Sequence, residues 1–251
     1  MPCSQDESGL NAFDEIADVY DELVNWAPYD KWVRDLERRL RRCGLRRGGR
    51  VLDAACGTGL STIPWAERGY VAVGVDRCEP MLGAARSKVE GTGLAISFVR
   101  GDLLALGACA PFDLAVCMHS GLDYILEPDL LAQAFGELRR VLRPGGLLSF
   151  DKCLDEPDFY RKPYSNTRSI TGGEAVFHYS WDRGRRLFDQ HCTVRRAGPD
   201  GGMITTQFLH RMMAVPLDEL IRMVERAGFE LLEKPRQFSI SDPGMGIFRA
   251  L

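Results

Sequence analysis

Residues 51–59 read VLDAACGTG, and this stretch decides the fold that we expect. Its first two residues are apolar, as at the buried end of a β-strand, and Asp53 ends the apolar run. Gly57 and Gly59 then allow a tight turn before a helix. Such a turn presents backbone N–H groups to a ligand. The stretch therefore predicts a ligand site at the carboxyl end of the first strand.

Strand-like and helical patterns alternate along the rest of this region. Five apolar runs are typical of strands: RVLDAA, YVAVGVD, AISFVRGD, FDLAVCM and GGLLSFDKC. Helical patterns fill the gaps between them, and this alternation predicts a parallel sheet with helices on both faces. A last helix and two closing strands follow near the C-terminus. We expect an α/β, Rossmann-like fold with a seven-stranded, mostly parallel sheet.

Two further regions depart from this alternation. Residues 11–43 carry the apolar spacing of two amphipathic helices. Residues 154–213 hold three strand-like segments joined by turn sequences, which predicts an antiparallel insertion. We expect a single domain over residues 1–251. Within it, residues 11–43 form an N-terminal helical lid, residues 44–153 and 214–251 form the main sheet and its helices, and residues 154–213 form the antiparallel insertion.

Composition narrows the class of protein. The 251 residues are 45% hydrophobic and 27% charged, which is enough apolar material for one domain with a core. The net charge of -3 argues against a general nucleic-acid binder. No apolar run of about eighteen residues and no signal-peptide pattern occur, so we expect a cytoplasmic location without membrane contact. The eight cysteines form no C-x-x-C pair, so we expect no metal site.

Three acids follow three consecutive predicted strands: Asp53, Asp76 and Asp102. Ligands of open parallel sheets bind at this edge, so the three carboxylates are expected to lie near one ligand. An acid about 20 residues past a glycine turn is placed to accept hydrogen bonds from a ribose. Asp102 suits the exocyclic amine of an adenine. Two ligands fit this set, a dinucleotide and S-adenosylmethionine.

The glycine turn favours the second ligand. The dinucleotide pattern G-x-G-x-x-G requires glycine at position 62, where this chain has Thr62. The Asp53 carboxylate would repel a pyrophosphate but attract the ammonium group of a methionine. An oxidoreductase and a non-catalytic nucleotide- or metabolite-binding protein remain alternatives.

The chain resembles the class I S-adenosylmethionine-dependent methyltransferases. VLDAACGTG matches the first motif of that superfamily, VGVDRCEPML its ribose-binding region and FVRGDLLAL its adenine-binding region. The segments FDEIADVYDELVNWAPYDKW and FDLAVCMHSGLDYIL are similar to small-molecule methyltransferases, including N-methyltransferases that act on amino sugars and glycine.

The resemblance implies S-adenosyl-L-methionine as the cofactor. It places Asp53 and the Gly57–Gly59 turn at the methionine part, Asp76 at the ribose, and Asp102 with Leu103 at the adenine. Aromatic residues of the lid would cover the cofactor. The expected cofactor-binding residues are Tyr20, Trp32, Asp53, Ala55, Gly57, Gly59, Asp76, Arg77, Met81, Asp102, Leu103 and Met118.

The loop MHSGLDY, after the fourth strand, is where a methyl acceptor is expected to meet the cofactor. Tyr124 and His119 are the candidate catalytic residues. Tyr124 could orient the acceptor, and it stands where the resembling amine methyltransferases tend to carry histidine. His119 could act as a base near neutral pH. The expected acceptor-binding residues are Tyr20, His119, Asp123, Tyr124, His178, Tyr179, Trp181, His210 and Arg211.

We therefore expect an enzyme that methylates a small molecule, with an amine nitrogen as the leading acceptor and a hydroxyl as the alternative. The loop lacks the N-P-P-Y-like sequence that resembling enzymes use on nucleic-acid bases, which argues against nucleic acid as the acceptor. The sequence carries no signal for the oligomeric state.

Overall fold

The chain is described by a computed structural model over residues 12–107, 111–154, 164–198, 200–236, 239 and 242–251. Its strands are β1 Arg50–Ala54, β2 Val71–Asp76, β3 Ile96–Arg100, β4 Phe112–Cys117, β5 Leu142–Phe150, β6 Tyr164–Ile170, β7 Gly173–Asp182, β8 Leu187–Ala197, β9 Met203–Met213, β10 Phe229–Glu233 and β11 Gly246–Ala250. Its helices are α1 Ala12–Ile16, α2 Tyr20–Leu23, α3 Tyr29–Arg42, α4 Thr62–Glu67, α5 Glu79–Val89, α6 Pro128–Val141 and α7 Leu217–Arg226.

Seven strands form the main sheet in the order β10-β11-β5-β4-β1-β2-β3. The five strands from β5 to β3 in this order run parallel to their neighbours. The last two strands of the chain close the sheet, because β11 pairs antiparallel with β5 and β10 pairs antiparallel with β11. The prediction of a seven-stranded, mostly parallel sheet is confirmed.

Helices cover both faces of this sheet. On one face, Trp32 of α3 and Trp65 of α4 are fully buried against apolar side chains of β1 and β4. On the other face, Phe135 of α6 and Val224 of α7 pack on the opposite side chains of the same strands. Each fully buried side chain of this size contributes about 1.5–3 kcal/mol. The two apolar layers hold the carboxyl ends of the parallel strands at one edge.

The N-terminal region forms three helices where the sequence predicts two. The first predicted helix is divided into α1 and α2, and its residue 11 lies outside the described part. Ile16 and Leu23 pack in a cluster with Phe177 and Met212 of the antiparallel sheet. By contrast, α3 belongs to the main core. Of the predicted lid, α1 and α2 therefore pack against the insertion, and α3 packs on the main sheet.

The insertion forms a four-stranded antiparallel sheet in the order β6-β7-β8-β9. The sequence predicts three of these strands and misses β6. Its residues, YSNTRSI, lack an alternation of apolar side chains, and Ile170 is its buried residue. β6 is also an edge strand, which pairs with β7 alone. The predicted closing segment starts at residue 238, outside the described part, and its described portion contains β11.

No helix of the described residues is long and apolar enough to span a membrane.

A matched pair of glycine substitutions tests the packing of β2. A Cβ atom at Gly74 would lie 2.7 Å from Cδ1 of Phe98 and 2.8 Å from Sγ of Cys56, whereas one at Gly83 in α5 would meet no heavy atom within 4 Å. We expect Gly74→Ala to lower the free energy of unfolding by about 1–3 kcal/mol. Gly83→Ala should raise it by about 0.5–1 kcal/mol, because alanine favours the helix.

Urea unfolding of both variants beside the wild type measures these changes. Equal or greater stability of Gly74→Ala would contradict the close contact of Gly74 with the Phe98 ring.

Candidate functional site

The glycine turn links β1 to α4. Three of its residues adopt left-handed backbone conformations: Ala55 with φ 59°, Gly57 with φ 52° and Gly59 with φ 81°. A Cβ atom at Gly59 would lie 2.9 Å from Cζ of Phe98, so the close approach of the turn to this ring requires glycine. The turn therefore passes tightly over the ends of β1 and β2.

Asp53 holds the start of α4. Its Oδ2 accepts hydrogen bonds of 2.6 Å from the hydroxyls of both Ser61 and Thr62. The carboxyl is fully buried, and burial raises its pKa to about 6. Its Oδ1 has no hydrogen-bond partner among the described residues. Asp53 therefore stabilises the turn by connecting the end of β1 to the start of α4, without lying on the surface of the turn.

Asp76 connects the end of β2 to the turn. Its Oδ2 accepts a 2.8 Å hydrogen bond from the backbone N–H of Gly57, and its Oδ1 accepts one of 2.9 Å from the N–H of Cys78. Burial raises the pKa of this carboxyl. Each carboxylate oxygen has a second lone pair, so Asp76 can still accept hydrogen bonds from a ligand.

A cavity of about 700 Å³ lies in front of the turn, and we call it the glycine-turn cavity. Its volume is in the range of cavities that bind cofactor-sized ligands. Predicted cofactor-binding residues that line it are Tyr20, Ala55, Gly57, Asp76, Arg77, Met81, Asp102, Leu103 and Met118. Three others, Asp53, Gly59 and Trp32, are not among its described lining residues. Trp32 is buried in the core of α3, and Gly59 lies against Phe98.

Sequence reasoning misses several residues of this wall. Thr58, Ser61 and Cys78 line the cavity and follow the same strand ends as the predicted residues. The sequence could have indicated these three residues, because they belong to the loops after β1 and β2. Phe13 and Tyr29 come from the lid, and only the packing of the lid over the sheet brings them there.

A second cavity, of about 650 Å³, lies beneath the antiparallel sheet, and we call it the insertion cavity. It is enclosed by the lid, the loop after β4 and the inner face of the insertion. Predicted acceptor-binding residues that line it are Tyr20, His119, Asp123, Tyr124, Tyr179 and His210.

Three predicted acceptor residues are not among its described lining residues. His178 is exposed and shares a 2.6 Å hydrogen bond with Ser165, because it points away from its neighbour Tyr179 along β7. Arg211 instead pairs at 2.7 Å with Asp189 on β8. Trp181 is partly buried in the cluster beneath the sheet, beyond the cavity wall.

The two cavities share part of their walls. Phe13, Tyr20, His119 and Tyr124 line both of them. The Tyr29 hydroxyl and Nδ1 of His119 are joined by a hydrogen bond that fixes the imidazole at this boundary. Groups bound in the two cavities would therefore meet at these side chains, which we call the junction residues.

The junction residues are uncharged at neutral pH. Burial lowers the pKa of His119 to about 4, so its imidazole is neutral. Burial raises the pKa values of Tyr20 and Tyr124, so both phenols keep their protons. The junction therefore offers aromatic faces and hydroxyl oxygens without an ionised group. Such an environment is favourable for a cationic ligand group held between the two cavities.

Comparison with known proteins identifies the wider group. A sequence-family model described as a methyltransferase domain matches residues 51–146, from β1 to the first half of β5. The putative methyltransferase YqeM of Bacillus subtilis is 37% identical over 234 residues, which cover 90% of both chains. A putative methyltransferase of Geobacillus sp. (strain WCH70) is 28% identical over 92% of this chain and 94% of its own. A ubiquinone biosynthesis O-methyltransferase of Dinoroseobacter shibae is 28% identical over 80% of this chain and 71% of its own.

Solved structures share the fold. An S-adenosylmethionine-dependent methyltransferase from Clostridium acetobutylicum has a TM-score of 0.78 at 18% identity, and the match covers 95% of this chain and 98% of that one. CalS10 from Micromonospora echinaspora, an amino pentose methyltransferase with S-adenosylmethionine bound, has a TM-score of 0.75 at 17% identity over 92% of this chain and 96% of its own. Together with the sequence relatives, these structures show that the chain belongs to the class I S-adenosylmethionine-dependent methyltransferases.

Proposed function

We propose that the protein methylates the amine nitrogen of a small molecule bound in the insertion cavity. The observation that carries this proposal is the shared wall of the two cavities, where Tyr20, His119 and Tyr124 would stand between a cofactor in one and an acceptor in the other. S-adenosylmethionine supplies an electrophilic methyl group on a positively charged sulfur.

The cofactor-binding roles follow from the glycine-turn cavity. Asp76 is the proposed acceptor for the ribose hydroxyls, because its carboxylate lies on the wall and retains free lone pairs. Met81 and Leu103 supply apolar contact for the adenine, and Asp102 a nearby oxygen. Asp53 is proposed to act on the methionine part through the turn that it fixes.

The junction residues act by positioning. Methyl transfer is an in-line displacement whose leaving group becomes neutral, so no acid is needed to help it depart. Alignment of the nucleophile is then the main contribution of the protein. Aromatic rings and hydroxyl oxygens near a cationic methyl are favourable. Tyr20 and Tyr124 provide both kinds of group at the boundary.

The junction residues themselves supply no general base for a hydroxyl, which favours nitrogen as the acceptor; Asp151, with a pKa of about 7, lines the insertion cavity but is not one of them. A hydroxyl acceptor requires a base to remove its proton, and an efficient base has a pKa near the working pH. Neither His119, with a pKa of about 4, nor the protonated Tyr124 meets this requirement. An uncharged amine needs no base at the junction. The amino pentose methyltransferase CalS10, as a structural neighbour, supports the same choice, whereas the O-methyltransferase relative keeps oxygen as the second candidate.

Matched amines and alcohols test the proposal. The protein is incubated with S-adenosylmethionine and with the pairs glucosamine and glucose, cyclohexylamine and cyclohexanol, or glycine and glycolate. Mass spectrometry then detects products that have gained one methyl group. Methylation confined to amines is the expected result, and methylation confined to alcohols would establish the second candidate instead.

Replacement of Asp76 tests the ribose contact. Charge-assisted hydrogen bonds contribute about 1.5–3 kcal/mol, so Asp76→Asn should weaken binding of S-adenosylhomocysteine by about tenfold or more. Asp113→Asn is the matched control. Asp113 also accepts a 2.8 Å hydrogen bond from a backbone N–H, that of Arg50, and is not among the described residues that line either cavity. Calorimetry gives both affinities, and unchanged affinity of Asp76→Asn would remove Asp76 from the site.

The pH dependence of turnover tests the positioning role. With an acceptor from the panel, kcat is measured from about pH 5.5 to about pH 9 for the wild type, Tyr124→Phe and His119→Asn. Asparagine suits position 119, where φ is 65°. Each variant should lose about tenfold or less in kcat, because one hydrogen bond disappears, and the shape of the profile should not change. A limb of the profile that vanishes in either variant would instead indicate general-base catalysis.

A further inference from the structure

Asp151 follows directly after β5 and lines the insertion cavity, yet it is not among the residues that the sequence predicts for the site. The residue is only 2% exposed. Its backbone N–H donates a 3.3 Å hydrogen bond to the carbonyl of Cys117, at the end of β4. A buried acidic group therefore lies beside the loop that separates the two cavities.

One oxygen of Asp151 supports that loop. Its Oδ2 accepts a 2.8 Å hydrogen bond from the backbone N–H of Ser120. His119 and Ser120 have φ values of 65° and 68°, and two consecutive left-handed residues other than glycine are unfavourable without such support. This contact also places the carboxyl within one residue of His119 at the junction.

The other oxygen of Asp151, Oδ1, does not support the loop. Oδ1 of Asp151 is buried without a hydrogen-bond partner in the described part of the chain. Burial and the negative charge of Asp123 raise the pKa of the Asp151 carboxyl to about 7. A buried carboxylate that lacks a partner is costly to the free protein.

Its neighbour Asp123 shows the contrast. Asp123 lines the same cavity, but its Oδ1 lies 2.9 Å from Nζ of Lys152 and accepts a 2.9 Å hydrogen bond from the N–H of Cys153. Lys152 is itself fully buried and also donates to the carbonyl of Met213. Lys152 therefore neutralises Asp123, and no ion pair among the described residues neutralises Asp151.

One side of the insertion cavity is suited to an apolar body. Phe177, Tyr179 and Phe188 line it from the insertion, and their rings are nearly parallel. The ring centroids lie 6.3 Å apart for Phe177 and Tyr179, and 5.8 Å apart for Tyr179 and Phe188. These stacked rings form an aromatic wall that offers apolar contact to a ring or a short hydrocarbon chain.

We propose that Oδ1 of Asp151 binds the amine group of the methyl acceptor, while the body of the acceptor lies along the aromatic wall. The inference rests on the proposed function only in that it identifies the bound amine with the methyl acceptor. The neutral amine donates an N–H to this oxygen and keeps its lone pair for the methyl group, whereas the protonated amine also supplies the missing positive charge and must release its proton to solvent before methyl transfer. Asp151 thus favours binding of amines, whose protonated form carries a positive charge, over alcohols, which are neutral, and over carboxylates, which it repels.

The test measures binding without turnover. Cyclohexylamine and cyclohexanol are titrated by calorimetry into the wild type, Asp151→Asn and the control Glu174→Gln, each with and without saturating S-adenosylhomocysteine. The asparagine oxygen can still accept from Ser120, so the loop is retained. Glu174 undergoes the same change on the insertion, where it pairs with Arg195 outside the described walls of both cavities.

We expect Asp151→Asn to weaken cyclohexylamine binding by about tenfold to a hundredfold and to leave cyclohexanol binding within about twofold. Glu174→Gln should match the wild type for both probes. Equal amine affinity in the wild type and Asp151→Asn would overturn the inference, as would a wild type that does not bind cyclohexylamine.

A second measurement needs no variant and applies even if Asp151→Asn fails to fold. The wild type should bind cyclohexylamine more tightly than cyclohexanol, and cyclohexanol more tightly than cyclohexanecarboxylate. The reverse order would contradict the role of Asp151. Because neither measurement depends on methylation, failure of the inference is distinguishable from failure of the proposed function, which the product masses decide.

Discussion

The buried hydrogen bonds of Asp53 set the geometry on which the site depends. The carboxylate lies at the end of β1 and accepts both the Ser61 and the Thr62 hydroxyl at 2.6 Å, so the start of α4 is tied to the strand. Between these points the chain must turn through the left-handed conformations of Gly57 and Gly59. The turn keeps its backbone close to β2 and leaves the glycine-turn cavity open in front of it.

The lid and the insertion are attached to this turn. Asp21 of α2 accepts a 2.5 Å hydrogen bond from the hydroxyl of Thr58 in the turn and also pairs with Lys88 of α5. On the other side of the lid, Arg168 of β6 donates to the carbonyl of Leu23 and lies over the ring of Phe177. The turn, the lid and the insertion are therefore connected by polar contacts. These contacts bring the walls of the two cavities together at the junction residues.

Strand ends were predictable because parallel strands present their carboxyl ends at one edge, which is why Asp76 and Asp102 lie on the cavity wall as expected. The same reasoning, applied to β5, would have pointed to Asp151. The adjacent Lys152 suggests a local ion pair there, but its partner is Asp123, 29 positions earlier, and such pairing depends on tertiary structure. In the insertion, the sequence gives the alternation of a strand but not which face is covered. Tyr179 lines the cavity and the adjacent His178 does not, because only the face that carries Tyr179 is covered.

The most direct test of the two-cavity arrangement is a crystal structure of the protein with S-adenosylmethionine bound. The account predicts adenosine in the glycine-turn cavity beside Asp76, with the methyl carbon among Tyr20, His119 and Tyr124 and facing the insertion cavity. Adenosine in the insertion cavity, or a methyl carbon directed away from these three side chains, would contradict it.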